Sequence, residues 1–205
     1  VAPLGLRDRF VELIDQEIQF AREGKPARII AKMNSLLDQD IIMHLYEAST
    51  AGVQIDLIVR GICVLRPGLP GVSAKISVRS IVGRFLEHSR IFYFSGGGEE
   101  KCFLSSADWM PRNLNSRVEL LFPVENEFHR ERILHILELL LADNQKAYEM
   151  KSDGSYRRRK LSGKQKINAQ EELVKRAREN AIDALPASWQ LVPLNQLTEQ
   201  QQVGG

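Results

Sequence analysis

The sequence predicts an α/β fold in which a mixed, mostly parallel sheet is flanked by helices. Three observations carry that expectation. Stretches with apolar residues at helical spacing alternate with short apolar runs of strand length. A strand, a helix and a second strand fall within about thirty residues between 28 and 59, and such units are parallel and right-handed. A hydrophobic share of 43% in 205 residues is enough for one large domain with a real core.

Taken in order, Leu6, Phe10, Leu13, Ile14, Ile18 and Ala21 recur at helical spacing, which predicts a helix over 6–23 ended by Gly24 and Pro26. Residues 28–34 read as a short buried strand. Ser35 or Asp38 can cap a second helix with Ile41, Ile42, Leu45 and Ala48 inward, and Gly52 stops it. Strands are expected at 53–59, 77–81, 90–94 and 101–104, the last two joined by a flexible glycine-rich turn at 95–100. The glycines of that turn are no phosphate loop, because no Lys-Ser or Lys-Thr follows them. The run 65–71 holds two prolines and two glycines and reads as a loop. A strand over 117–124, an apolar helix over 127–143 and a third long helix over 168–185 complete the domain, 1–185. Residues 186–205 read as a polar, Gln-rich tail that frays.

Composition removes several classes. No apolar run approaches the roughly 20 residues that span a bilayer. No signal peptide is visible, and the missing initiator methionine points to a piece of something longer. Cys63 and Cys102 can form neither a disulfide framework nor a four-ligand zinc site, and both read as reduced core residues. Net charge is only +2, but residues 151–166 carry seven basic residues against one acid, Asp153. That segment reads either as a polyanion-binding surface or as a solvated loop or edge hairpin.

The candidate chemistry begins with the octet Gly83-Arg84-Phe85-Leu86-Glu87-His88-Ser89-Arg90. It sets one histidine among basic residues just before an apolar strand. Arginines can hold anionic oxygens bidentately, and an imidazole can move a proton. The competing reading is a surface histidine beside solvated charges. Arg60 ends a strand, and in open α/β sheets ligands bind beyond the carboxyl ends of strands. Lys32 and Asn34 share one face at the end of the neighbouring strand. Ser105-Ser106-Ala107-Asp108-Trp109 follows another strand, either as an anion-binding turn or as an ordinary Ser turn with Trp109 in the core. Arg112, Asn113 and Arg117 could add positive potential there. His44, His129 and His135 read as structural or surface residues. No His-Glu-x-x-His motif or clustered carboxylates point to a metal held by the chain.

Several ungapped segments then resemble one family in order: ARIIAKMNSLLDQDII, YEASTAGVQIDLIVRGICVLRPGLPG, SIVGRFLEHSRIFYF and CFLSSADWMPRNLNSRVELLFPV. Weaker matches at LRDRFVELIDQEI and NAQEEL extend the resemblance over roughly residues 1–185. The family is the histidine-phosphorylating polyphosphate kinases, and the part resembled is their C-terminal phospholipase D-like catalytic domain. The resemblance implies a phospholipase D-like sandwich and an ATP–polyphosphate phosphotransferase. The reaction it implies moves the ATP γ-phosphate to polyphosphate, reversibly, with Mg2+. It implies a site between two such domains, of which this chain is the second. The phosphorylated histidine would lie in the first, among N-terminal domains of the same polypeptide. Here the resemblance assigns His88 and Arg60 to ATP phosphate, with His88 as general acid or charge stabiliser. Magnesium ligands would lie outside this chain, which would be inactive alone. ATP or ADP and inorganic polyphosphate are the implied partners, with no specific nucleic acid. A homo-oligomer of the full-length protein is implied, in the cytoplasm or as a peripheral complex on a membrane.

Arg90 stands where phospholipase D-like enzymes carry the lysine of His-x-Lys, and Ser105 to Asp108 stands at their Gly-Ser-x-Asn turn as a looser match. Two alternatives follow from the same residues. One is a phospholipase D-type phosphodiesterase or nuclease. The other is a non-catalytic polyanion-binding module using 151–166.

Overall fold

Apolar side chains at helical spacing make the first helix, α1 (Leu6–Arg22), which buries Leu6, Phe10, Leu13, Ile14 and Ile18. The computed structural model describes residues 4–159 and 165–183. It divides into two units, 1–170 and 171–205. In the first, α1 is followed by β1 (Arg28–Met33), α2 (Gln39–Ala51), β2 (Gln54–Val59) and β3 (Ile76–Ile81). The Asp38 side chain caps α2 by accepting from the Ile41 amide at 3.1 Å. Then come β4 (Ile91–Phe94), β5 (Lys101–Ser105), α3 (Pro111–Ser116), β6 (Leu121–Pro123), α4 (Glu127–Ala142), β7 (Ala147–Met150) and β8 (Tyr156–Arg158). Helix α5 (Ala169–Asp183) begins at the end of the first unit. In the second unit, residues 171–183 are helical.

The strands form one sheet in the order β6-β5-β4-β1-β2-β3-β7-β8. It is mixed, as expected, but its predominant polarity is the reverse of the expected one. Only β1–β2 and β2–β3 pair parallel. The other five pairings among the described residues are antiparallel. The short turns joining β4 to β5 and β7 to β8 allow nothing else, since a parallel neighbour needs a crossover of a dozen residues or more. The parallel core is therefore the helix-linked pair β1–β2 together with β3.

Period-two alternation divides the apolar side chains between the two faces. Ile29, Ala31, Met33, Ile55, Leu57, Phe92 and Phe94 join α1 and α2 in one core. Ile30, Ile58, Ile81, Ile91, Tyr93 and Cys102 join Leu137 and Leu140 of α4 in the other. Trp109 is fully buried in the first core, 5.0 Å from the Phe92 ring and 5.5 Å from the Phe10 ring between centroids.

Other local expectations are corrected. The strand expected at 117–124 shrinks to Leu121–Pro123, because Ser106 holds the Leu120 amide and carbonyl at the turn. Residues 111–116, to which the sequence assigns no element, form α3. The turn at 95–100 contains a 3-10 turn at Gly96–Gly98, and the buried Glu17 carboxylate accepts from the Gly96 amide. The basic segment does include an edge hairpin, β7–β8. Within it Arg158 donates to the Gln145 carbonyl and Arg159 to the Leu141 carbonyl, at 2.8 and 3.1 Å. Lys160, Lys164 and the 186–205 tail lie outside the described residues, as do the last two positions of the helix expected over 168–185.

Asp143, wholly buried at the end of α4, ties this region together. Its oxygens accept from the amides of Gln145, Lys146 and Ala147 at 3.0, 2.7 and 3.1 Å, and from Ala169 at 2.8 Å. Asn144 adds three bonds to the same returning segment: its side chain to the Gln165 carbonyl and the Ile167 amide, and its own amide to the Ile167 carbonyl.

Candidate functional site

The carboxyl ends of the parallel strands β1 and β2 place Lys32, Asn34 and Arg60 together, as strand-end reasoning expects. Arg60 follows β2 directly, and its amide reaches the Met33 carbonyl at 3.3 Å. The next amide, of Gly61, reaches the Asn34 carbonyl at 2.7 Å. A Cβ at Gly61 would stand 2.9 Å from that carbonyl, so the close approach requires glycine. Asn34 then orients the arginine. Its Oδ1 accepts from Arg60 Nε and Nη2 at 3.1 and 2.8 Å.

Asp108 organises the other side of Asn34. Its Oδ1 accepts from the Asn34 amide at 2.7 Å and from Nδ2 at 3.3 Å. The same carboxylate accepts from Arg90 Nε at 3.0 Å and Nη2 at 3.2 Å. Arg90 in turn donates from Nη1 to the His88 carbonyl at 3.1 Å. A continuous hydrogen-bonded chain therefore runs from Arg60 through Asn34, Asp108 and Arg90 to the backbone of His88.

Lys32 grips the same loop from beneath. Its ammonium is buried, 2.5 Å from the Glu87 carboxylate and 2.7 Å from the Ser89 carbonyl. Burial lowers the Lys32 pKa, Glu87 partly opposes that, and the charges of Arg60 and Arg90 lower it further. Burial pushes Glu87 upward, but the Lys32 hydrogen bond and charge outweigh it and leave the carboxyl below its usual range.

The charges in this cluster are not equally spent. Lys32 faces Glu87 and Arg90 faces Asp108. Arg60 is held by a neutral amide, and among the described residues it has no ion-pair partner. His88 is exposed, and its imidazole has no hydrogen-bond partner among the described residues. A fixed, uncompensated guanidinium and an unengaged imidazole are what an incoming anion needs.

The donor set does not fit a divalent cation. Both carboxylates of the cluster are occupied by cationic side chains. Among the described residues, no group of three His, Cys, Asp or Glu side chains could hold a metal.

The remaining candidates resolve toward structure. The Ser105 hydroxyl donates to the Leu120 carbonyl and accepts from the Ala107 amide, while Ser106 bonds Glu119. The turn's hydroxyls are thus spent locally, and Trp109 is core. Asn113 is buried against Glu119, whereas Arg112 and Arg117 are exposed. His44 pairs with Asp15 of α1 at 2.8 Å. Burial pushes both cysteine thiols up to about 11, which leaves them inert at neutral pH. Two members of the cluster act in ways the sequence does not reveal: Glu87 pairs with Lys32, and Asp108, expected only as part of a turn, is the hub. Each pairs across a long separation in sequence, so no local pattern could reveal it.

The family model "Polyphosphate kinase C-terminal domain 2" matches residues 1–170. A polyphosphate kinase of Halalkalibacterium halodurans is 59% identical over 156 residues, covering 76% of this chain and 22% of the relative. The crystal structure of polyphosphate kinase from Porphyromonas gingivalis superposes with a TM-score of 0.82 at 41% identity, covering 86% of this chain and 27% of that one. Nuc, a phospholipase D family member from Salmonella typhimurium, superposes with a TM-score of 0.54 at 13% identity, covering 74% and 95%. That last likeness shows the fold, a phospholipase D-like sheet with flanking helices. The chain spans about a quarter of the length of the curated relatives it matches.

Proposed function

Because the chain belongs to the polyphosphate kinase family, as its C-terminal domain 2, we propose that it forms the nucleotide-phosphate half of an ATP–polyphosphate phosphotransferase site. Arg60 and His88 are the phosphate contacts. The carrying observation is that Arg60 is held rigidly by a neutral side chain while every other cation of the cluster already has a carboxylate.

Phosphoryl transfer needs positioning and charge neutralisation more than covalent help from the protein. The β–γ bridging P–O bond of ATP breaks and its electron pair stays on the departing ADP oxygen. Arg60 presents a pre-oriented fork to the phosphate oxygens, at no entropic cost on binding beyond what Asn34 has already met. In its protonated form, His88 stabilises the developing charge or gives a proton to the leaving oxygen. In the reverse direction it takes that proton back. The acceptor, a histidine of a preceding domain and then polyphosphate, lies outside this chain, which therefore does not turn over by itself. Magnesium, where it accompanies the nucleotide, would be held by ligands outside the chain.

The test is an ATP titration of the 205-residue chain and its variants followed by NMR at the backbone amides of residues 60 and 83–90, and also at the imidazole wherever His88 is present. Saturable shifts are expected, with affinity reduced about tenfold or more in Arg60→Ala and in His88→Ala, since a charge-assisted contact contributes about 1.5–3 kcal/mol. Absence of binding, or equal binding by both variants and the unsubstituted chain, defeats the assignment.

A further inference from the structure

The loop carrying His88, residues 82–90, has no regular secondary structure, yet it must hold an exposed imidazole in one place. Two of its anchors belong to the cluster already described: Lys32 on Glu87 and Ser89, and Asp108 on Arg90. A third comes from outside it. Gln170, only 7% exposed, donates from Nε2 to the Phe85 carbonyl at 2.9 Å and accepts at Oε1 from the Phe85 amide at 3.0 Å. One side-chain amide thus satisfies both backbone groups of a single loop residue, much as a neighbouring strand would. Gly83 leaves room for it. A Cβ there would lie 2.3 Å from Gln170 Oε1.

Gln170 is itself fixed. It follows Ala169, whose amide is held by the wholly buried Asp143. The preceding turn is bonded to Asn144 through Gln165 and Ile167. The clasp therefore connects the end of α4 to the His88 loop, at a point three residues before the histidine.

From this geometry we infer that Gln170 is a positioning residue for His88, clasping Phe85 so that the loop presents the imidazole to the nucleotide phosphate. The inference rests on the nucleotide-site reading above. Lys32 and Asp108 fix the carboxyl-terminal limb of the loop, and Gln170 fixes the amino-terminal limb. With only one limb held, the imidazole would sample positions away from Arg60.

The experiment compares the unsubstituted 205-residue chain with Gln170→Ala, Gln170→Glu, Gly83→Ala and His88→Ala. Two quantities are read: amide exchange at Phe85, with Leu57 in the centre of the sheet as control, and ATP affinity by NMR titration. Gln170→Ala is expected to speed Phe85 exchange on the order of tenfold, as two lost hydrogen bonds require. Leu57 exchange should be unchanged, and ATP affinity should fall toward that of His88→Ala. Gly83→Ala should do the same by displacing the Gln170 side chain, which keeps the test alive if Gln170→Ala fails to fold. Gln170→Glu keeps an acceptor for the Phe85 amide but no donor for its carbonyl, so it should be intermediate. Unchanged Phe85 exchange in both Gln170→Ala and Gly83→Ala overturns the inference. So does faster exchange with ATP affinity intact while His88→Ala loses it. If His88→Ala binds ATP normally, the site assignment is what fails, and Phe85 exchange alone then decides whether the clasp holds the loop.

Discussion

Asp108 carries more of the candidate site than any residue proposed to touch substrate, and its removal should show as coupling instead of a simple sum. In Asp108→Ala the buried Asn34 amide loses its acceptor, which costs about 1–3 kcal/mol for an unsatisfied group. Arg90, whose side chain is 20% exposed against 9% for Asp108, loses a two-pronged ion pair worth about 2 kcal/mol at that burial. The expected total is about 3–5 kcal/mol. Arg90→Ala should cost less, about 2 kcal/mol, because Asp108 keeps both Asn34 donors. The double variant should resemble Asp108→Ala alone, leaving a coupling energy of about 2 kcal/mol. Urea unfolding followed by circular dichroism, at equal m-values, gives all four corners of the cycle. A coupling below about 0.5 kcal/mol would refute the reasoning, since independent sites add within that margin. The same variants separate stability from function. Asp108→Ala loosens Asn34 and hence Arg60, so ATP affinity should drop further than in Arg90→Ala.

Three other expectations follow from the packing. Phe10→Ala, at a fully buried ring 4.6 Å from Phe92, should cost about 3–5 kcal/mol in urea unfolding. Asp143→Ala takes the side-chain acceptor from the Lys146, Ala147 and Ala169 amides, while Gln145 keeps the Ile167 carbonyl at 3.3 Å, and should cost about 3 kcal/mol or more, with faster exchange concentrated at residues 146, 147 and 169. The Glu87 carboxyl lies below its ordinary range in the folded chain, so its contribution is present above the unfolded carboxylate pKa and is lost as pH falls through the folded value. Exchange at the Ser89 amide, which donates to Glu87, should therefore stay slow through neutral pH relative to the intrinsic rate. Its protection should collapse only below the ordinary carboxylate range, and Glu87→Gln should abolish that acid limb.

The elements that sequence alone made legible are those with a period and a stop. The spacing from Leu6 to Ala21 with Gly24 and Pro26 after it, and the apolar runs on either side of α2, leave little choice locally. Strand-end logic places Lys32, Asn34 and Arg60 together from the sequence alone. Sheet polarity was less legible, because β4 and β7 are placed by what they return to. β4 lies against β1, some sixty residues back, and no local pattern encodes that partner. β7 and β8 are four and three residues long, too short for alternation to register. The site followed the same division. Arg60 and His88 stood out by residue type and setting, but Asp108 reaches Asn34 across 74 positions and Gln170 reaches Phe85 across 85. A buried glutamine bonded to a backbone looks, in sequence, like any polar residue at a helix start.

Among the described residues, the two margins of the eight-stranded sheet fall on β6 and β8. Each is only three residues long. β6 ends on Pro123, which has no amide to donate, and β8 carries Arg157 and Arg158 in succession. Short length, a proline and adjacent like charges are how native sheets refuse a second sheet at their margins. The basic run that first suggested a polyanion surface thus has a further consequence: it makes the β8 margin a poor template for strand addition. Among the described residues, the sheet thus ends on both sides in short margins of the kind that disfavour strand addition from another molecule.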